Sequence, residues 1–304
     1  VASAAELVSA YTRRYLEMDG VPKPLISSAC PVVVRFIQLM YPSLEDHVIH
    51  MLPPMEVAAD LARKRAKEQH PEFSDEDIGV CFISPCAAKA SYVRNNFGDY
   101  KSRVDSVVAI SAIYFRLLDV MKRDACIRSL SEAGSNGIGW GQSSGEATAI
   151  LNEEYLAADG IGNIHKVLEE IENGNIQNLK FVELNACPGG CVGGVLTVQN
   201  PFVAKARLRT ISRCLPAVMN FPPQDETFIP DNFLFGEMPN YVPVSRLSGN
   251  FLESMRMMSE IQRIRATLPG IDCGACGAPN CRAKAEDAVR AGKKTVDCPL
   301  QKSL

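Results

Sequence analysis

Residues 183–194 read ELNACPGGCVGG. The segment leading into it, KFVELN at 180–185, is apolar and branched enough for a buried strand, and it gives way at once to a loop that holds Cys187 and Cys191. Glycine at this density abandons regular structure, permitting tight turns and close approach of backbone. A cysteine that serves only as a small hydrophobe belongs in an apolar periodic segment. Two thiols in such a loop point instead to metal.

The arrangement recurs upstream. KPLISSACP at 23–31 reads as a short strand running into a loop with Cys30, and Pro31 suits the first turn of a helix through about Met40. DIGVCFISPC at 77–86 has a branched apolar centre bounded by Gly79 and Pro85, which predicts a buried strand with Cys86 just past its end. Helical patterns at 3–18, 55–69, 112–122, 144–157, 164–173 and 201–213 alternate with these strands and with VDSVVAIS at 104–111. The alternation predicts an α/β fold, in which ligands gather beyond the carboxyl ends of strands.

The chain has 304 residues, 46% apolar and 22% charged, with a net charge of −3. That is globular composition without the basic footprint of a nucleic-acid binder; RKRAK at 63–67 reads as a solvated helix face. No apolar run is long enough for a membrane span, since PVVVRFIQLM is cut by Arg35, and no signal peptide is visible. An odd count of eleven cysteines in such a chain argues against a disulfide framework. Cys81, Cys126 and Cys214 lie in apolar segments and are expected to be small buried hydrophobes.

The last four cysteines form a separate group. LPGIDCGACGAPNCRAKAEDAVRAGKKTVDCP spaces Cys273, Cys276, Cys281 and Cys298 as C-x2-C-x4-C-x16-C, with glycines that let the backbone bend around sulfur. Zinc is the rival, but a zinc ribbon offers two C-x2-C knuckles. One knuckle, a looser cysteine, a helix and a final Cys-Pro suit an iron–sulfur cube better. The tail resembles the small four-cysteine iron–sulfur domain of electron-transport complex subunits and corrinoid iron–sulfur proteins. That resemblance implies one [4Fe-4S] cluster on these four residues.

Taken together, SSACP at 27–31, SPCAAK at 84–89 and ELNACPGGCVGG resemble, in order, three motifs of the [FeFe]-hydrogenase catalytic domain. SNGIGWGQSSGEATA at 135–149 resembles a fourth, a glycine-rich turn with an acidic helix start. The resemblance covers roughly residues 3–210 and implies two lobes closing over an H-cluster, a [4Fe-4S] cube joined to a di-iron unit that carries CO, cyanide and a bridging dithiolate. By motif position Cys30, Cys86 and Cys187 would bind the cube, and Cys191 would bridge to the di-iron unit. Lys89 would pair with an iron-bound cyanide, as suits a compact three-donor cation, and Pro85, Glu183 and Gly190 would lie around the cofactor.

Some positions depart from the family pattern. Where active members carry a proton-relay cysteine, this chain has Ala29; family methionines are replaced by Ser84 and Asn185, and a family glutamate by Tyr92. All four positions are expected to line the di-iron pocket. Loss of a positioned acid–base group costs about 10² to 10⁴ in rate, so the resemblance implies a slow or sensory hydrogenase-like protein that interconverts H2 with protons and electrons. The alternatives are a hydrogenase-like protein without a di-iron unit, acting in electron relay or cluster assembly, or a purely structural one.

The expected organisation is an H-cluster domain at 1–215, a proline-rich connector at 216–255 and a [4Fe-4S] domain at 256–304. Part of the first lobe is expected upstream of Val1, with Glu6 a remnant of an acidic proton path. The resemblance further implies ferredoxin or a signalling domain as redox partner, maturation factors that install the di-iron unit, and an anaerobic cytoplasm.

Overall fold

The structure, a computed structural model, describes residues 1–95, 100–123, 132–150, 153–238, 247–271, 276, 278 and 280–299. It divides into two compact units, Val1–Tyr241 and Val242–Leu304.

In the first unit the order is α1 (Ala2–Leu16), β1 (Leu25–Ile26), α2 (Pro31–Met40), α3 (Pro54–Gln69), β2 (Cys81–Ser84), α4 (Ala87–Asn95), β3 (Ser106–Ala109) and α5 (Ile110–Arg123). There follow α6 (Ser135–Gly139), α7 (Gly145–Ile150), β4 (Tyr155–Asp159), α8 (Ile161–Glu172), β5 (Phe181–Asn185) and α9 (Pro201–Ser212). Every strand pairing is parallel: β5 lies between β1 and β4, and β2 pairs with β3. Phe181, Val182 and Leu184 of the central strand are buried, as expected where both faces of a parallel sheet are covered. α8 covers it with Ile164, Leu168 and Ile171, spaced by four and three so that they share one face. One core joins Val182, Leu184 and the α8 residues to Val33, Val34 and Ile37 of α2 and to Val8 and Tyr11 of α1, while Phe181 packs with Leu16, Leu25, Ala147 and Ile150.

The alternation therefore gives the expected α/β architecture with parallel sheets. In two places the local reading fails. The helix predicted over 144–157 ends at Ile150, and Tyr155–Asp159 is a strand in register with Phe181–Asn185. YLAAD has ordinary helix formers, but pairing along the open side of β5 overrides their weak preference. The strand at 81–84 is not buried as predicted: Ile83 is 50% exposed and Cys81 is exposed. Among the described residues β2 and β3 stand as a two-stranded sheet, so one face of β2 is open. Cys214 is also exposed, at the frayed end of α9, which corrects the expectation for both cysteines; Cys126 lies outside the described residues.

The proline-rich stretch is not a free connector. Residues 216–238 lack regular structure apart from the turn Asp231–Phe233, as the prolines require, yet Phe233 and Phe235 are buried in the first unit's core. Leu52 N donates to the Phe233 carbonyl at 2.7 Å, and the Tyr11 and Phe233 rings lie 4.4 Å apart. Buried Glu6 accepts from Gly134 N (2.8 Å), Met219 N (3.1 Å), Asn220 N (3.0 Å) and Asn220 Nδ2 (2.6 Å), tying α1 to the same stretch.

The second unit contains α10 (Phe251–Ala266) and α11 (Cys281–Arg290). Ala285 and Ala288 pack against Ile261 and Ile264, small side chains that let the two helices approach closely. Asn280 caps α11, its side-chain oxygen accepting from Ala283 N at 2.8 Å.

Candidate metal centre

Three loops leave the carboxyl ends of parallel strands with their cysteines two to six residues on: Cys30 after β1, Cys86 after β2, and Cys187 with Cys191 after β5. Cys30 is also the residue before α2, where Pro31 fixes the first helical φ. All four thiols are half-buried and unpaired by disulfide.

Backbone contacts lock the third loop onto the second and onto the turn at 141–143. Ser143 N donates to the Gly189 carbonyl at 3.0 Å, Val192 N to Gly141 at 2.8 Å, and Leu196 N to Pro85 at 3.1 Å. Gly190 has φ +89°, and a Cβ there would stand 2.5 Å from Ser143 N. At Gly194 a Cβ would stand 2.2 Å from the Pro85 carbonyl oxygen. Only glycine lets the backbone pass at either position. Ser84 fixes the second loop: its hydroxyl accepts from Cys86 N and donates to the Cys86 carbonyl, each at 3.0 Å.

The thiols converge electrostatically. Burial pushes the Cys187 thiol up to about 11, with Cys86, Cys30 and Cys191 adding to the rise and Lys89 opposing it. Burial likewise pushes Cys191 up, against Lys89. Loading the site requires these thiols to give up their protons, and a bound metal supplies the positive charge that stabilises the thiolates beside Lys89. Among the described residues no three Cys, His, Asp or Glu side chains are placed to hold a single metal ion. Four thiols on three loops suit an iron–sulfur cluster, whose separate irons each take one thiolate.

Beside Cys191 lies a cavity of about 370 Å³. Its wall includes Ala29, Met55, Pro85, Lys89, Trp140, Glu146, Glu183 and Asn185. Of the four departures from the family pattern, Ala29 and Asn185 do line it. Ser84 and Tyr92 are not part of that lining; Ser84 is committed to Cys86, and Tyr92 is buried in the core between the sheets. Gly190 acts through the loop's path instead of facing the cavity.

The sequence reading left out Ser27, Met55, Trp140 and Glu146 as site residues. Glu146 was legible only as an acidic helix start. Its carboxylate accepts instead from Ser27 Oγ at 2.6 Å, a contact across 119 positions that no local pattern signals.

In the second unit Cys276, Cys281 and Cys298 line one small cavity with Leu268, Ala278, Asn280, Lys284 and Pro299. Cys273 lies outside the described residues. Convergence of three thiols around a helix start fits a cluster-binding loop.

Residues 1–153 and 138–195 match the family described as "Iron only hydrogenase large subunit, C-terminal domain". The chain belongs to that family. Residues 268–300 of this hydrogenase-like chain match a second family, described as "Putative Fe-S cluster". The protein is thus a hydrogenase-like iron–sulfur protein. Among curated proteins it is similar to the "Probable cytosolic Fe-S cluster assembly factor" of Drosophila erecta, at 30% identity over 81 residues. Those residues are 27% of this chain and 16% of that protein, so the chain spans a small part of the relative's length. Among solved structures it is similar to HydA1 from Chlamydomonas reinhardtii, in a variant form, with TM-score 0.49, 16% identity and coverage of 69% of this chain and 72% of that one. A [FeFe]-hydrogenase HydA(deltaEFG) structure that concerns stepwise H-cluster assembly gives TM-score 0.48 with the same identity and coverage. Among the described residues no helix is long and apolar enough to cross a membrane.

Proposed function

We propose that this chain is a slow or sensory [FeFe]-hydrogenase-like protein. Cys30, Cys86, Cys187 and Cys191 would hold an H-cluster, and Cys273, Cys276, Cys281 and Cys298 one [4Fe-4S] cluster that passes electrons. The observation that carries the reading is the cavity beside Cys191, bounded by Lys89 and by Ala29. A structural cube needs no such space next to one of its thiolates, whereas a di-iron unit does.

When bound, the H-cluster supplies the interconversion of H2 with protons and electrons. The chain's residues bind and enclose it. The glycine-permitted backbone contacts hold Cys187 and Cys191 against the Cys86 loop. Lys89, in the first turn of α4, places a point charge for an anionic iron ligand. Met55, Phe82, Trp140 and Ile138 make much of the remaining wall apolar. The methyl of Ala29 holds no proton where a relay thiol would stand, which supports low turnover. The partners that follow are H2 and protons, a ferredoxin or signalling partner for electrons, and maturation factors, in an anaerobic cytoplasm.

The second reading, cluster assembly or electron relay without a di-iron unit, is favoured by the similarity to the Drosophila erecta protein. Infrared spectra of chain matured with the di-iron machinery separate the two. Bands of iron-bound CO and cyanide are expected; their absence from a sample with full cubane content refutes the hydrogenase reading.

A further inference from the structure

Two buried carboxylates in the cavity wall are held in opposite ways. Glu183 accepts from Ser144 N (3.0 Å), Ala147 N (2.9 Å) and Asn185 Nδ2 (2.7 Å), and from the Glu146 backbone N–H. Burial pushes the Glu183 carboxyl up, and these donors oppose that rise by favouring its charged form. Glu146 takes only the Ser27 hydroxyl, on Oε2, and its Oε1 has no hydrogen bond among the described residues. Two buried neighbouring carboxylates do not both ionise readily, so the less-solvated one keeps a proton.

We infer that Glu146 is the proton donor of this cavity: a neutral carboxylic acid whose Oε1 proton passes to a basic group bound beside Cys191 and Lys89. In the same arrangement Asn185 and Ser27 are the positioning residues that decide which carboxyl of the pair is neutral. The inference rests on the hydrogenase reading for its acceptor. In the transfer the Glu146 O–H bond breaks and the proton bonds to the acceptor. The carboxylate left behind keeps the Ser27 hydrogen bond and faces the Lys89 ammonium until solvent returns a proton.

The geometry ties this acid to the place where the relay thiol is missing. Ala29 N donates to Ser27 Oγ at 3.2 Å, so the hydroxyl that holds Glu146 is fixed by the backbone of Ala29. Glu146, Ala29, Lys89 and Asn185 line one cavity. The charged groups facing Glu146 are Glu183 from β5 and Lys89 from α4. Burial, then Glu183, raise the Glu146 carboxyl to about 8, against the Ser27 hydrogen bond and Lys89.

The test uses the full chain before maturation, by infrared difference spectroscopy of protonated-carboxyl C=O stretching in H2O and D2O. Wild type is expected to show a D2O-sensitive band at pH 7 that E146Q abolishes. K89M should move its titration midpoint upward, and N185L should shift the band as the proton redistributes towards Glu183. Absence of the band at pH 7, or its survival in E146Q, overturns the inference. In matured chain, E146Q should slow H2/D2O exchange by about 10² to 10⁴ with the CO and cyanide bands unchanged and E146D partly restoring the rate; an unchanged rate also overturns it. Missing CO and cyanide bands would instead sink the hydrogenase reading and with it the acceptor, while the carboxyl band reports on Glu146 separately.

Discussion

Gly194 and Pro85 meet so closely that one added methyl on Gly194 would stand 2.2 Å from the Pro85 carbonyl oxygen. This contact joins the loop of Cys191 to the loop of Cys86. Gly194→Ala is expected to force the loops apart and to cost at least about 2 kcal/mol, in the upper range for single substitutions. Thermal unfolding and iron content after anaerobic reconstitution measure it. A variant that keeps both would show that the contact does not set the thiol geometry.

The two groups of cysteines lie in separate compact units and should load separately. Cys86→Ser is expected to remove about four irons per chain while the tail's cluster signal survives, and Cys276→Ser the reverse. Iron and sulfide assays with electron paramagnetic resonance distinguish them. Loss of both signals in either variant would mean that the units depend on each other.

The Lys89 charge opposes the rise of both the Cys187 and Cys191 thiols. Lys89→Met should leave the cubane intact and strip the cavity's occupant, seen as weakened CO and cyanide bands at unchanged sulfide content. Bands of full intensity would remove Lys89 from the binding set.

One carboxylate gathers the start of the proline-rich stretch. Glu6→Ala orphans four donors, three of them backbone N–H groups, and is expected to cost about 2–4 kcal/mol. Limited proteolysis should then cut within 216–222, where wild type resists. Equal resistance would show that the stretch's other anchors, among them Ser135 N to the Pro216 carbonyl and buried Phe233 and Phe235, hold it without Glu6.

Stability of the metal-free chain should fall as pH rises from about 4.5 to about 8. Below the ordinary value of 4.5 both states hold the Glu146 proton; above it the unfolded chain releases the proton first, and the folded chain keeps it until about 8. Glu146→Gln should flatten this slope in denaturant titrations across that range. A slope that persists unchanged would assign it to other groups.

Much of this was legible because the motifs are local. ELNACPGGCVGG, SSACP and SPCAAK each carry a strand end and a thiol within a few residues, so the α/β fold could be read directly, while the grouping of the four cysteines came with the family resemblance of the motifs. What escaped depended on distant partners. Tyr155–Asp159 is a strand because Phe181–Asn185 offers it an edge. Ser84 faces Cys86 and not the cavity because a two-residue turn claims its hydroxyl. Glu146 is a site residue only through Ser27. Exposure of Cys81 depends on what packs over β2, which the segment's own apolar pattern does not specify.

The four central thiols come from positions 30, 86, 187 and 191, so 161 residues separate the first from the last. At about 5–20 residues per second of synthesis, Cys30 waits roughly 10–30 s for its final companion to be made. The site therefore has no nascent form. Metal offered to the growing chain meets isolated thiols with nothing to close around, and loading has to follow release of the strand that carries Cys187.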